Sequence, residues 1–111
     1  MALDLPTLRK LVALDANDPL SRFALGRKLA ETDGGAGSPE LTEAAEHLAF
    51  ANNRAPEHLA SYHILAQVLI RLGRTDEARK VLQEGIRRVG GVGEGMGRDP
   101  GPAMQKMLEA L

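Results

Sequence analysis

Three histidines, His47, His58 and His63, are the side chains of this 111-residue sequence best suited to ligate a metal or to move a proton. His58 and His63 stand five apart, which turns them about 140° around a helix, so they cannot share a ligand face as an i, i+4 pair does. No HExxH run accompanies them, and there is no cysteine to supply a thiolate ligand, a disulfide or a catalytic thiol. They read as surface or groove histidines. The carboxylates Glu43, Glu46, Asp76 and Glu77 fall at helix starts or on polar faces, where the helix dipole and solvation account for them without acid–base work. Six glycines between 90 and 101 suggest a phosphate cradle, but no spacing gives GxGxxG, no GK[ST] follows, and a helix precedes where that mechanism needs a strand. No serine sits in a G-x-S-x-G elbow, and no EF-hand loop is present. Arg71, Arg74, Arg79, Lys80, Arg87 and Arg88 cluster, yet they point around two helices, alternate with Asp76, Glu77 and Glu84, and have no aromatic stacking surface beside them. The sequence therefore implies no catalytic residue, no metal and no cofactor, and no nucleic-acid partner.

Size and charge point the same way. One small domain has little surplus for a catalytic unit, and a net charge of −1 gives no field to attract nucleic acid or a membrane. The start, MALDLPTLRKLVALD, has charges at 4, 9 and 10 that break its apolar run, so it reads neither as a signal peptide nor as a membrane span, and a cytoplasmic protein is expected. With Phe23, Phe50 and Tyr62 as the only aromatics, the core must be built from Leu, Ala, Ile and Val, as helix-on-helix packing allows.

Every periodic segment has the 3.6-residue spacing of a helix. A first helix is expected over 4–15, with Leu5, Leu8, Leu11 and Val12 facing inward. Asp18-Pro19 then opens a second, running to about Glu31 and burying Leu25, Leu29 and either Phe23 or Leu20. A Gly- and Ser-rich loop over 32–38 leads to Ser38-Pro39, which opens a third helix with the stripe Leu41, Ala44, Ala45, Leu48 and Ala51; Pro56 closes it. Residues 59–88 read as a hairpin. Its first helix has Leu59, Tyr62, Leu65, Ala66 and Leu69 on one face, a surface that Ala60, Ile64, Val68 and Ile70 widen, and leaves only His63, Gln67 and Arg71 as a polar stripe. Its second helix, after Gly73 and with Thr75 expected as its cap, presents Ala78, Val81, Leu82, Gly85, Ile86 and Val89. The glycine-rich stretch 89–99 is expected to be a flexible linker, and 100–111 a last helix with Ala103, Met104, Met107, Leu108 and Leu111 on one face.

The run Tyr62-x2-Leu65-Ala66-x2-Leu69, then Gly73, Ala78 and Leu82, resembles a tetratricopeptide repeat: aromatic, large, small, large, turn glycine, small, large. An earlier copy over 19–56 has Leu25-Gly26-x2-Leu29, Ala44, Leu48, Ala51 and Pro56, with about six extra residues between its halves. It departs at Arg22, where the family usually has an aromatic, with Phe23 beside it; the later copy departs at Gly90, where the closing proline is missing. The small residues let helix backbones approach closely.

The resemblance implies an all-α, right-handed superhelical stack of about six helices: a cap helix, two hairpins and a terminal helix that covers the last apolar face. It implies protein–protein interaction. In such folds the first helix of each hairpin lines a concave groove, so Phe23, Arg27 and Glu31, with His63, Gln67 and Arg71, would face a bound extended or helical segment carrying acidic side chains. The Lys and Asn expected of the family's carboxylate-clamp variety are replaced by Phe23 and Arg27, so capture of chaperone C-termini is not implied. The alternative is a structural subunit that self-associates, for instance as a homodimer, without a peptide ligand.

Overall fold

The structure is a computed structural model that describes residues 4–32, 38–89 and 101–111. Helix α1, Leu5–Leu14, starts where Asp4 Oδ1 accepts the Thr7 N–H at 2.9 Å, with proline tolerated in the first turn because its missing N–H would have had no partner there. Leu8 is buried, and Leu5 and Val12 pack on the same core. Leu11, expected inward, lies on the outer flank at 37% exposure, because α1 packs chiefly against one neighbour and that neighbour covers only the Leu5–Leu8–Val12 side.

Helix α2, Pro19–Thr32, is capped by Asp18, whose Oδ1 accepts the Leu20 N–H and whose Oδ2 accepts the Ser21 hydroxyl. Leu25 and Leu29 are buried and Phe23 is half-buried against the core, whereas Leu20 is 61% exposed. Helix α3, Pro39–Arg54, repeats the logic: Ser38 Oγ accepts the Leu41 N–H at 3.2 Å, and Leu41, Ala44, Ala45, Leu48 and Ala51 form its buried stripe. The two helices meet where Gly26 has no side chain. A Cβ there would stand 2.8 Å from Leu48 Cγ and 3.1 Å from the Ala44 carbonyl oxygen.

Helix α4, Leu59–Arg71, ends in a tight turn at Gly73, whose φ of 78° is readily open only to glycine. The Arg74 N–H reaches back to the Leu69 carbonyl at 2.8 Å and the Gly73 N–H to the Ile70 carbonyl at 3.0 Å, the paired bonds of a Schellman motif that satisfy otherwise orphaned carbonyls. Helix α5 then runs over Thr75–Val89. Thr75, expected as the cap, is the first helical residue instead, because the Arg74 carbonyl already accepts the Ala78 N–H. Helix α6, Gly101–Glu109, buries Met104 completely, with Met107, Leu108 and Leu111 half-buried beside it; Ala103, expected on the same face, is exposed.

Two adjoining clusters make the core. One joins α1, α2, α3 and the inner sides of α4 and α5 through Leu8, Leu25, Leu29, Leu41, Leu48, Leu65 and Leu69. The other joins Tyr62, Ala66, Leu82 and Met104, so α6 covers the last hairpin. Gly85 permits that cover: a Cβ there would be 2.8 Å from both Met104 Sδ and Tyr62 Cβ. The described residues are helices joined by turns, as an all-α helical repeat requires, and no strand occurs among them. The expected inter-helix loop, 32–38, falls largely on 33–37 and the expected glycine linker, 89–99, largely on 90–99, outside the described residues, while Val89 is the last residue of α5.

Candidate functional site, a groove between the first helices of two hairpins

Along α4, His63, Gln67 and Arg71 recur every fourth residue, so they share a strip that rotates slowly about the helix. The strip faces α2. Between the two helices lies an open cavity of about 720 Å³ lined by Arg27, Ala30 and Glu31 from α2 and by His63, Ile64, Gln67, Val68, Ile70 and Arg71 from α4, with Met107 of α6 contributing a further wall. Its interior is largely aliphatic and its charge comes from the Arg and Glu side chains. Five of the six residues picked from the sequence line it. Phe23 does not; its ring sits edge-on to His58 at 4.5 Å between centroids, in a T-shaped arrangement.

The polar groups are partly engaged with one another. Arg27 Nε lies 3.2 Å from Glu31 Oε1, one turn along α2, with both side chains more than half exposed. Gln67 Nε2 is 3.4 Å from His63 Nε2. Arg71 has a different part: its guanidinium donates to the Ala30 carbonyl at 3.0 Å, tying the end of α4 to the last turn of α2 and holding the groove's width. Its charge thus comes with a structural bond.

Sequence reasoning missed Ala30, Ile64, Val68, Ile70 and Met107 as lining residues. Ala30 carries no signal beyond small size, and Met107 becomes visible only once α6 is docked. From the sequence, Ile64, Val68 and Ile70 read only as widening the apolar surface of α4, which carries more aliphatic side chains than one buried stripe can use.

The slot for an aromatic is filled differently in the two hairpins. Tyr62 is 2% exposed and donates its hydroxyl to the Pro56 carbonyl at 2.8 Å; burial pushes that phenol above its usual range, so it stays a neutral donor. Arg22 instead lays its guanidinium over the Phe50 ring at 4.2 Å, with Nε donating to the Ala16 carbonyl at 2.9 Å. Phe23 packs at the core edge, as its place beside Arg22 suggested. Arg22 also reaches His47 Nδ1 at 3.2 Å, which makes that nitrogen the acceptor and leaves Nε2–H to meet Glu43 at 3.3 Å. Glu43 in turn receives Arg9 at 2.6 Å, and this arginine, ahead of His47, holds its carboxyl below the usual range.

Among the described residues no group of three or more His, Cys, Asp or Glu is arranged to hold a metal ion. His47 serves the α1–α2–α3 network, His58 starts α4 and His63 lines the groove. The arginines of α5 are engaged by neighbouring carboxylates: Arg79 with Asp76 at 2.9 Å, Arg88 with Glu84 at 2.7 Å, and Arg87 with Glu84. A smaller cavity of about 250 Å³ lies against α3, α4 and α5, among Ala45, Glu46, Ala49, Leu65, Leu69, Arg74, Glu77 and Val81. No helix among the described residues is long and apolar enough to cross a membrane.

A comparison with known families supplies one match, a tetratricopeptide repeat over residues 39–90, which takes in α3, α4 and α5. No curated protein and no solved structure is significantly similar to the chain. The matched stretch carries the small residues Ala44, Ala66 and Ala78, each fully buried where helices meet, together with Tyr62 and the turn glycine at 73. Outside that stretch, Leu25, Gly26 and Leu29 of α2 pack on α3 much as Leu65, Ala66 and Leu69 of α4 pack on α5. Residues 39–90 thus match the tetratricopeptide repeat, and the six helices among the described residues are consistent with an all-α tetratricopeptide-repeat-like fold.

Proposed function

We propose that the protein binds a short segment of a partner protein in the groove between α2 and α4. The repeat family points to protein–protein interaction, and the observation that favours this groove is the 720 Å³ cavity, aliphatic inside and rimmed by Arg27, Gln67, His63 and Arg71. A ligand segment suited to it has one aliphatic anchor set against Ile64, Val68 and Met107, with an acidic side chain beside it to draw Arg27 away from Glu31. A rim pair exposed to water costs little to exchange, because such pairs contribute on the order of 0–1 kcal/mol. The acidic residue therefore contributes selectivity and speed of association more than affinity.

Fluorescence anisotropy with two labelled peptides of equal length tests the reading, one alternating Leu with Asp and the other Leu with Lys. The Leu–Asp peptide should bind more tightly, and Arg27→Glu should reverse the order while leaving the helical signal intact. Equal affinity for both peptides, unaffected by Arg27→Glu, would contradict it.

A further inference from the structure

Building on the groove reading proposed above, we infer that occupation of the groove is linked to docking of α6, with Met104 as the positioning residue that regulates the site. Among the described residues that line the cavity, Arg27, Ala30 and Glu31 belong to α2, and the others belong to α4 except Met107, which comes from α6. Met107 does not hold itself there. It is half-buried, whereas Met104, one turn earlier on the same side of α6, is fully buried in the notch that Gly85 leaves beside Tyr62, in one cluster with Ala66 and Leu82.

The nine residues of α6 have little tendency to form a helix alone, since isolated helices shorter than about 12–15 residues are marginal in water. What orders α6 is therefore its packing, chiefly on α5. The other two walls are held differently: α2 packs on α1 and α3, α4 packs on α3 and α5, and Arg71 ties the pair together through the Ala30 carbonyl. Undocking of α6 thus removes one wall of the groove and leaves two standing. A segment whose aliphatic anchor touches Met107 binds the docked state more tightly, and by reciprocity its presence favours docking. The expected link is about tenfold, the worth of one apolar side chain withdrawn from the contact.

Fluorescence anisotropy with the Leu–Asp peptide, read beside amide hydrogen exchange of the full chain, tests the link. In the wild type, saturating peptide should slow exchange of the α6 amides about tenfold. Met104→Ala changes no residue that lines the groove, yet it should speed exchange in α6 and weaken the peptide about tenfold, and Met104→Leu should restore both. Met107→Gln should weaken the peptide as much, with exchange in α6 of the free protein changed far less than by Met104→Ala. Met107→Gln and the wild-type exchange decide the matter even where Met104→Ala unfolds the chain. A peptide that binds the wild type on residues 27–31 and 63–71 but leaves exchange in α6 unchanged, or that binds Met107→Gln as tightly, overturns the link and spares the groove. A wild type that binds no peptide on those residues overturns both.

Discussion

The two hairpins place different chemistry on the same frame. In the later one the buried Tyr62 sends its hydroxyl to a carbonyl six residues upstream; in the earlier one Arg22 sends Nε to a carbonyl at the same offset and rests on Phe50. Ser61 donates to the His58 carbonyl at the start of α4, and Ser21 donates to the Asp18 carboxylate at the start of α2. Where Ala66 faces α5, Gly26 faces α3. What the repeats share is therefore a set of distances, a small residue at each crossing and a donor at each corner, and different side chains can supply them.

The comparison breaks most sharply at the small residues and at the end that covers them. Met104→Ala should cost about 2–5 kcal/mol, because that side chain is fully buried over Tyr62, Ala66 and Leu82, and removing residues 101–111 should cost at least as much. Thermal or denaturant unfolding checks both; an unchanged midpoint for the truncated chain would mean that α6 does not cover the last hairpin. Next come Ala44→Leu and Ala78→Leu, each expected to lose about 1–3 kcal/mol from overpacking. Gly26→Ala and Gly85→Ala belong in the same range, since at each site the added carbon would meet Leu48 or Tyr62 at 2.8 Å. A near-neutral result at one crossing and not the other would show that the hairpins are less alike than their geometry.

A smaller effect sharpens the corner equivalence. Tyr62→Phe removes one hydrogen bond and should cost about 1 kcal/mol. Arg22→Tyr should be tolerated within about 1 kcal/mol if the two positions do the same work, and a loss as large as that of a core deletion would refute the equivalence. The mildest effect is the acid sensitivity that the earlier hairpin's network contributes. Glu43 is depressed in the folded state, so its contribution is present above its unfolded value and fades as pH falls through that value, about 4.3, towards its lower folded one. Glu43→Gln should flatten the stability profile in that window and leave neutral pH little changed; an identical acid limb for both proteins would remove Glu43 from the account.

Much of the fold could be read from the sequence because helix starts, turn glycine and small-residue crossings are local signals. Ser38-Pro39, Asp18-Pro19 and Gly73 mark their boundaries by backbone chemistry alone. The errors are where a neighbour decides. Leu11 and Leu20 have the spacing of buried residues, but no helix among the described residues covers them. The groove is legible on α4, where the polar stripe is narrow. It is less so on α2, where Phe23 turns to His58 and Ala30 enters the lining, since which side of a helix faces a groove depends on the crossing angle.

Amide chemical-shift mapping of the isotope-labelled full chain, titrated with the Leu–Asp peptide, tests the proposed groove most directly. The largest changes should fall on residues 27–31 and 63–71, saturate together, and shrink on Arg27→Glu. Changes concentrated instead around Ala45, Ala49 and Val81, or scattered over the surface without saturation, would contradict the account.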